Sequence, residues 1–275
     1  MKPTILALTL LLTGLGFADT AEIKVNLKLD NGDYVVGERV RGVIDVANAS
    51  ADTLSVGYEH SDDRLFVEVY RKDDSAELER TGERPFVSPF LVKSNEGQKL
   101  ETFLADHFGL KEPGHFLAVP VLVHDGVRFV GQPRAFDVVP GMEVASALQM
   151  FRNHEGLRRE FRLLTWSRDR REHLFLAAQD TGSGSKGYVT TDLGQTMRVT
   201  KPTISVLPGG EVIVLHRCDS DHFLRTEFWS MSGVLEFHGQ ELVQDPETAG
   251  QHRVREMYKE KGGVEPISRP WWKFW

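Results

Sequence analysis

Between residues 22 and 140 apolar and polar side chains alternate with a period of two, and turn-forming residues break the alternation about every ten positions. Successive side chains of a strand point to opposite faces, so this pattern describes half-buried strands that each lay one face on a core. Ile23, Val25, Leu27 and Leu29 share a face, and Asp30-Asn31-Gly32 then supplies a turn. Val40, Val43, Ile44 and Val46 follow, closed by Asn48-Ala49-Ser50. Further strands are expected at 54–58, 65–70, 98–103, 116–124 and 135–139, with no convincing amphipathic helix between them. The pattern predicts an all-β fold of antiparallel strands.

A mixed segment at 140–160, opened by Pro140-Gly141 and holding the charge cluster Arg158-Arg159-Glu160, separates this region from a second set of strands. Those are expected at 161–167, 173–178, 187–193, 203–207, 211–217, 223–229 and 234–238, with Pro208-Gly209-Gly210 and Ser232-Gly233 as hairpin turns. Two hairpins in this half match at an offset of 49 residues: Leu163-Leu164 with Val212-Ile213, Arg168 with Arg217, Glu172-His173-Leu174 with Asp221-His222-Phe223, and Gly184 with Gly233. Chance pairing of similar hairpins accounts for the match as well as duplication does. A period near fifty is that of propeller blades, but two copies cannot close a ring. The expectation is therefore a β-meander or small β-sandwich resembling a propeller fragment. Beyond Val243, Asp245-Pro246-Glu247 has the composition of a helix start, Val254, Met257 and Tyr258 then share a face, and Gly262-Gly263 is a natural stop. The division read from the chain is 1–18, 19–142, 143–243 and 244–275.

The turn spacing of the first unit is that of an immunoglobulin-type sandwich. Its residues also resemble a known kind of module: Gly37-Glu38, Val40, Ile44, Val46, Asn48, Ser50, Leu54 and Val56, followed later by Pro113-Gly114-His115-Phe116. These are similar to the opening strands and the later Pro-Gly-aromatic strand of bacterial immunoglobulin-like modules of the macroglobulin or proteinase-inhibitor BsuPI kind. The resemblance covers roughly residues 22–140 and implies a sandwich rather than an activity. The thioester and bait segments of macroglobulins have no counterpart, so it brings no protease trapping with it.

The first eighteen residues read as a secretory signal: Lys2, an apolar run at 5–15, then Gly16 and Ala18, with cleavage expected after Ala18. The run is shorter than the roughly 20 residues that span a bilayer, and no other segment is long enough. The expected location is therefore periplasmic or secreted. Cys218 is the only cysteine, so no intramolecular disulfide forms and the fold rests on its cores. The formal charge of −7, which becomes −8 without Lys2, is poor equipment for binding phosphate backbones and argues against a nucleic-acid partner.

Few clusters suggest chemistry. His216, Cys218 and His222, with Asp219 and Asp221, have zinc-ligand types but supply three ligands at most, and they lie at a hairpin tip where Asp-Ser-Asp is ordinary turn chemistry. Asp62-Asp63, Asp73-Asp74 and Asp180 are the carboxylates that a glycoside hydrolase would need to pair across a cleft, but they are scattered over expected loops. Thr181-Gly182-Ser183-Gly184-Ser185 lacks the strand-to-helix setting of a nucleophile elbow. No metal, cofactor or catalytic residue is assigned. The segment that departs most from folding needs is the C-terminus, where Trp271, Trp272, Phe274 and Trp275 crowd the last five residues and 251–275 hold six Lys or Arg against three Glu. Such a segment either docks to a partner or membrane face or folds back onto its own protein. The composite reading is an exported, non-catalytic binding or structural protein of the cell envelope whose partner is an envelope protein or polysaccharide. The alternative is a hydrolase of an envelope or extracellular polymer.

Overall fold

The computed structural model describes residues 23–81, 85–151, 156–182, 188–232 and 234–245. The expected leader, the expected helix from Pro246 onward and the aromatic C-terminus lie outside the described residues. Those described form an all-β structure in which the one helical element is the 3₁₀ turn Leu104–Asp106.

The first ten strands are β1 Ile23–Leu29, β2 Asp33–Val35, β3 Arg41–Asn48, β4 Leu54–Val56, β5 Arg64–Arg71, β6 Phe90–Val92, β7 Glu96–Phe103, β8 Gly114–His124, β9 Val127–Val130 and β10 Arg134–Val139. They make a three-stranded sheet β1-β3-β7, a sheet β2-β10-β8-β5 with β9 also on β8, and the pair β4-β6. The alternation read from the sequence is what buries them: Ile23, Val25 and Leu27 of β1 and Ile44 and Val46 of β3 face one cluster with Val67, Val69, Phe116 and Phe136. One pairing departs from the expected antiparallel scheme, since β10 runs parallel to β2, Asp137 to Val139 lying beside Asp33 to Val35. The short strands β2, β6 and β9 carry too few residues to announce themselves by periodicity.

Two polar residues of the opening motif are structural. Asn48 is 1% exposed, and its amide donates to Asp52 O at 2.7 Å and Val92 O at 3.1 Å while its Oδ1 accepts from Ser50 N and Oγ. The Asn-Ala-Ser triplet thus ties β3 to β6, and a saturated, buried amide has no surface at which to be glycosylated in the folded chain. Tyr34, buried under the Asp30-Asn31-Gly32 turn, donates its hydroxyl to Asp30 Oδ1 at 3.0 Å. Burial, and then the Asp30 charge, raise its pKa.

The remaining strands are β11 Met142–Met150, β12 Arg158–Arg168, β13 Arg171–Thr181, β14 Tyr188–Gln195, β15 Thr203–Val206, β16 Glu211–Arg217, β17 His222–Met231 and β18 Val234–Gln244. The segment 140–160 is therefore no mere connection, because β11 and the start of β12 occupy it. Each group of four strands is an antiparallel meander, β11 to β14 and β15 to β18. The two sheets share a core in which Phe161, Leu163, Leu174 and Leu176 meet Val212, Val214 and Phe228. Arg159, read from the sequence as part of a charged cluster, is 4% exposed and fastens the sheets together. It grips both Asp180 oxygens at 2.5 and 2.7 Å and donates to Ser230 Oγ, Met231 O and Val234 O. Of the residues matched at an offset of 49, Leu163, Leu164, Arg168 and Glu172 to Leu174 occupy the second and third strands of the first sheet, and Val212, Ile213, Arg217, His222 and Phe223 those of the second, with Asp221 just before β17; Gly184 and Gly233 lie outside the described residues.

Candidate functional site

The most elaborate polar construction joins the two halves of the chain. Strand β2 runs into Val36-Gly37-Glu38, and Val35 enters a small cluster with Leu164, Phe175 and Ala177, against which Val139, Trp166 and Tyr188 pack. Gly37 has φ +83, and a Cβ there would strike the Tyr188 ring and sit 2.9 Å from Thr190 Oγ1. Only glycine allows β14 to approach so closely. Thr190 uses that approach, donating its N–H to Gly37 O at 2.9 Å and its hydroxyl to Val36 O at 2.6 Å. Gly141, at φ +70, admits Leu164 in the same way, its absent Cβ falling 3.1 Å from the leucine Cβ.

Next to these contacts lies a buried charge network. Arg168, at the end of β12 with 7% of its side chain exposed, donates to both Glu38 oxygens at 3.1 and 2.8 Å, to Asp192 Oδ2 at 3.0 Å and to Asp33 O at 3.0 Å. Glu38 also accepts from Val35 N, and Trp166 donates its indole N–H to the Asp33 carboxylate. Burial by itself would lower the Arg168 pKa, but the bond and charge of Glu38, joined by Asp192 and Asp33, outweigh it and hold the guanidinium above its ordinary value. The arginine is presented by a two-residue turn whose members Asp169 and Arg170 have φ of +50 and +63. Left-handed conformations at two adjacent non-glycine residues are costly, and the ladder on either side holds them there.

A cleft of about 620 Å³ opens along the same seam, walled by Val36, Lys111, Pro113, Pro140, Arg162 and Tyr188 among others. The Arg162 guanidinium lies 5.8 Å from the Tyr188 ring centroid. Its nearest acceptor is Gln179 Oε1 at a long 3.4 Å, and its buried Nε donates to nothing among the described residues. Lys111 has no ion pair among the described residues. Two cations thus border an opening whose rings and apolar side chains offer faces for stacking, on a chain whose overall charge is −7. Such an arrangement can hold an anion. Nothing on its described walls is a nucleophile with an adjacent base.

The residues singled out from the sequence fall elsewhere. His216 is 1% exposed on the core side of β16, where burial pushes its pKa down to about 4. Cys218 is half-buried, with Sγ 3.5 Å from His222 O, and burial, followed by Asp219, raises its thiol pKa. His222 turns its Nδ1 to Asp219 at 3.0 Å, so the three do not converge on one point. Among the described residues, ligand atoms of three residues of metal-binding type come within 4.8 Å of one another at Asp63, His124 and Asp125. Asp63 is already engaged there, receiving His124 Nδ1 and Ser55 N at 2.8 Å each, which ties the loop before β5 to the end of β8. The carboxylates considered for hydrolysis are dispersed as well: Asp180 belongs to Arg159, Asp63 to His124, and Asp74 caps the Ala76 N–H of an exposed turn. Trp271, Trp272, Phe274 and Trp275 lie outside the described residues. Sequence reasoning missed the seam because Gly37-Glu38 and Arg168 lie 130 residues apart and β2, which leads into Gly37-Glu38, is too short to show in the alternation.

No family model matches this sequence, and neither does any curated protein. Among solved structures, the crystal structure of Spo0M, a sporulation control protein from Bacillus subtilis, is similar at 12% identity and a TM-score of 0.31, over 87% of this chain and 97% of that one. A likeness at that level transfers neither fold nor function.

Proposed function

We propose that this chain is an exported, non-catalytic binding protein of the cell envelope, and that it holds an anionic polysaccharide in the seam cleft. The observation that carries the reading is the presence of both Lys111 and Arg162, whose buried Nε has no partner among the described residues, beside Tyr188, Pro113 and Pro140 in that cleft. Guanidinium and ammonium groups supply attraction to carboxylated sugars, and ring faces supply stacking area at little conformational cost. The leader-like residues 1–18 support export. In this reading the chain divides near residue 142, residues 19–142 keep their resemblance to an immunoglobulin-like module, and the separate clusters on either side of that point supply the two cores.

The test is calorimetric titration of the chain from Asp19 onward with oligogalacturonate, with neutral dextran of equal length as the control. The expected result is binding to the acidic oligosaccharide alone, weakened about tenfold by Lys111→Ala and more by Arg162→Ala, with unchanged melting temperature and steep loss on adding salt. Equal binding of dextran, or indifference to both substitutions, overturns the reading.

A further inference from the structure

We infer that the chain's own C-terminal segment, residues 246–275, seats its apolar side chains over the open edge at β18. Register places Phe237 opposite Phe228 and Leu242 opposite Leu224, on the side of β18 that continues the shared core. Both remain largely uncovered, at 55% and 65% exposure, although Phe237 meets Phe228 edge-on with centroids 5.7 Å apart. The facing sheet reaches this edge through Gln240, whose amide donates to Leu193 O at 3.0 Å, and leaves the residues on either side bare. On the outer side, Trp229, Met231 and Val234 are 39%, 55% and 46% exposed. An eleven-residue edge strand with this much apolar surface is an aggregation template unless something covers it.

The observations point to the following segment as that cover. Asp245 is pinned, its N–H donating to Asp221 O at 2.8 Å and its carboxylate receiving Arg217 at 2.7 Å. The thirty residues beyond it therefore start four positions from Leu242. Even wholly helical they reach about 45 Å, more than the roughly 36 Å length of β18. They bring Val254, Met257, Tyr258, Trp271, Trp272, Phe274 and Trp275, and from 251 onward six Lys or Arg against three Glu. On the outer side of β18, beside Trp229, the exposed Glu236 gives that cationic excess a carboxylate to meet, while Glu241 on the same side already receives Arg225 at 3.0 Å. Tethering raises the effective concentration of the segment to the millimolar range, an advantage that a second copy or a membrane lacks.

The proposal is tested by limited trypsin digestion of the chain from Asp19 onward, following cleavage at Arg253, Arg255, Lys259 and Lys261. The expected result is cleavage about tenfold slower than in the isolated 246–275 peptide. Leu242→Asp, which alters an already exposed side chain and so leaves the sheet intact, is expected to restore nearly the peptide rate and shift tryptophan emission to the red. Removing residues 246–275 is expected to raise binding of an apolar dye at the uncovered face, and adding Leu242→Asp to that truncated chain to reverse the rise. The inference is overturned by cleavage at the peptide rate in the unaltered chain. It is overturned equally by protection that disappears on dilution together with a dimer, or that arises only with anionic lipid vesicles.

Discussion

The two C-terminal sheets start from the same pattern and meet different surroundings. Leu163 and Thr165 of β12 and Val212 and Val214 of β16 all face the shared core, as their common alternation requires. The opposite faces diverge. Leu164 and Arg168 are buried under the N-terminal half, whereas the matching Ile213 and Arg217 remain half-exposed. Arg168 finds Glu38 and Asp192 in the seam; Arg217 finds Asp245 at the end of β18. The first sheet is thus covered on both faces and its counterpart on one, and a side chain of the same type becomes a buried junction in one and a local clasp in the other.

This difference sets the order of the expected effects. Arg168→Ala strands Glu38 and Asp192 without their cation and is expected to cost about 3–5 kcal/mol in urea unfolding, with the Arg168→Met, Glu38→Leu pair recovering most of it. Gly37→Ala, which combines a left-handed backbone with collision at Tyr188, is expected to cost roughly 2–4 kcal/mol in the same measurement, and Tyr188→Ala in that background to restore part of it. His216 sharpens the contrast through pH, since its counterpart Ser167 is exposed. The folded protein holds His216 near 4 while the unfolded chain titrates near its ordinary value of about 6.5, so the neutral imidazole's contribution is complete above that pH and is lost as pH falls toward 4. Unfolding free energy is expected to drop by on the order of 2–3 kcal/mol across that window, and His216→Leu to remove this part of the slope. Arg217→Ala is expected to have the smallest effect, about 1–2 kcal/mol, because it takes the cation from one carboxylate, the buried Asp245, where Arg168→Ala takes it from two, and Arg217 itself keeps more contact with water than Arg168. Equal costs for Arg168→Ala and Arg217→Ala would show that the seam adds nothing to the energetics of its arginine.

Much of the fold was legible in the chain. Strands such as Ile23–Leu29, Glu211–Arg217 and Arg64–Arg71 alternate cleanly because a half-buried strand must. β11 was not legible: its burial hovers between exposed and half-buried, so no apolar face stands out in Met142–Met150. The candidate site was less legible still. Gly37-Glu38 read as a marker of fold, Arg159 read as part of a charge cluster and Arg168 as a match in the repeat, and neither Lys111 nor Arg162 carried any local signal, because the cleft that gives them their meaning joins residues from both halves of the chain.

By itself the sequence determined where the longer alternating strands run, which face of each meets a core, and that no intramolecular sulfur bridge assists them. These follow from side-chain alternation and composition, properties of a few neighbouring residues at a time. Only the tertiary structure decided which outer face became a seam, which carboxylate each buried arginine meets and where two cations were left to border a cleft. Those outcomes depend on how whole sheets stack, and the alternation of a strand is the same whether its second face meets water or another sheet.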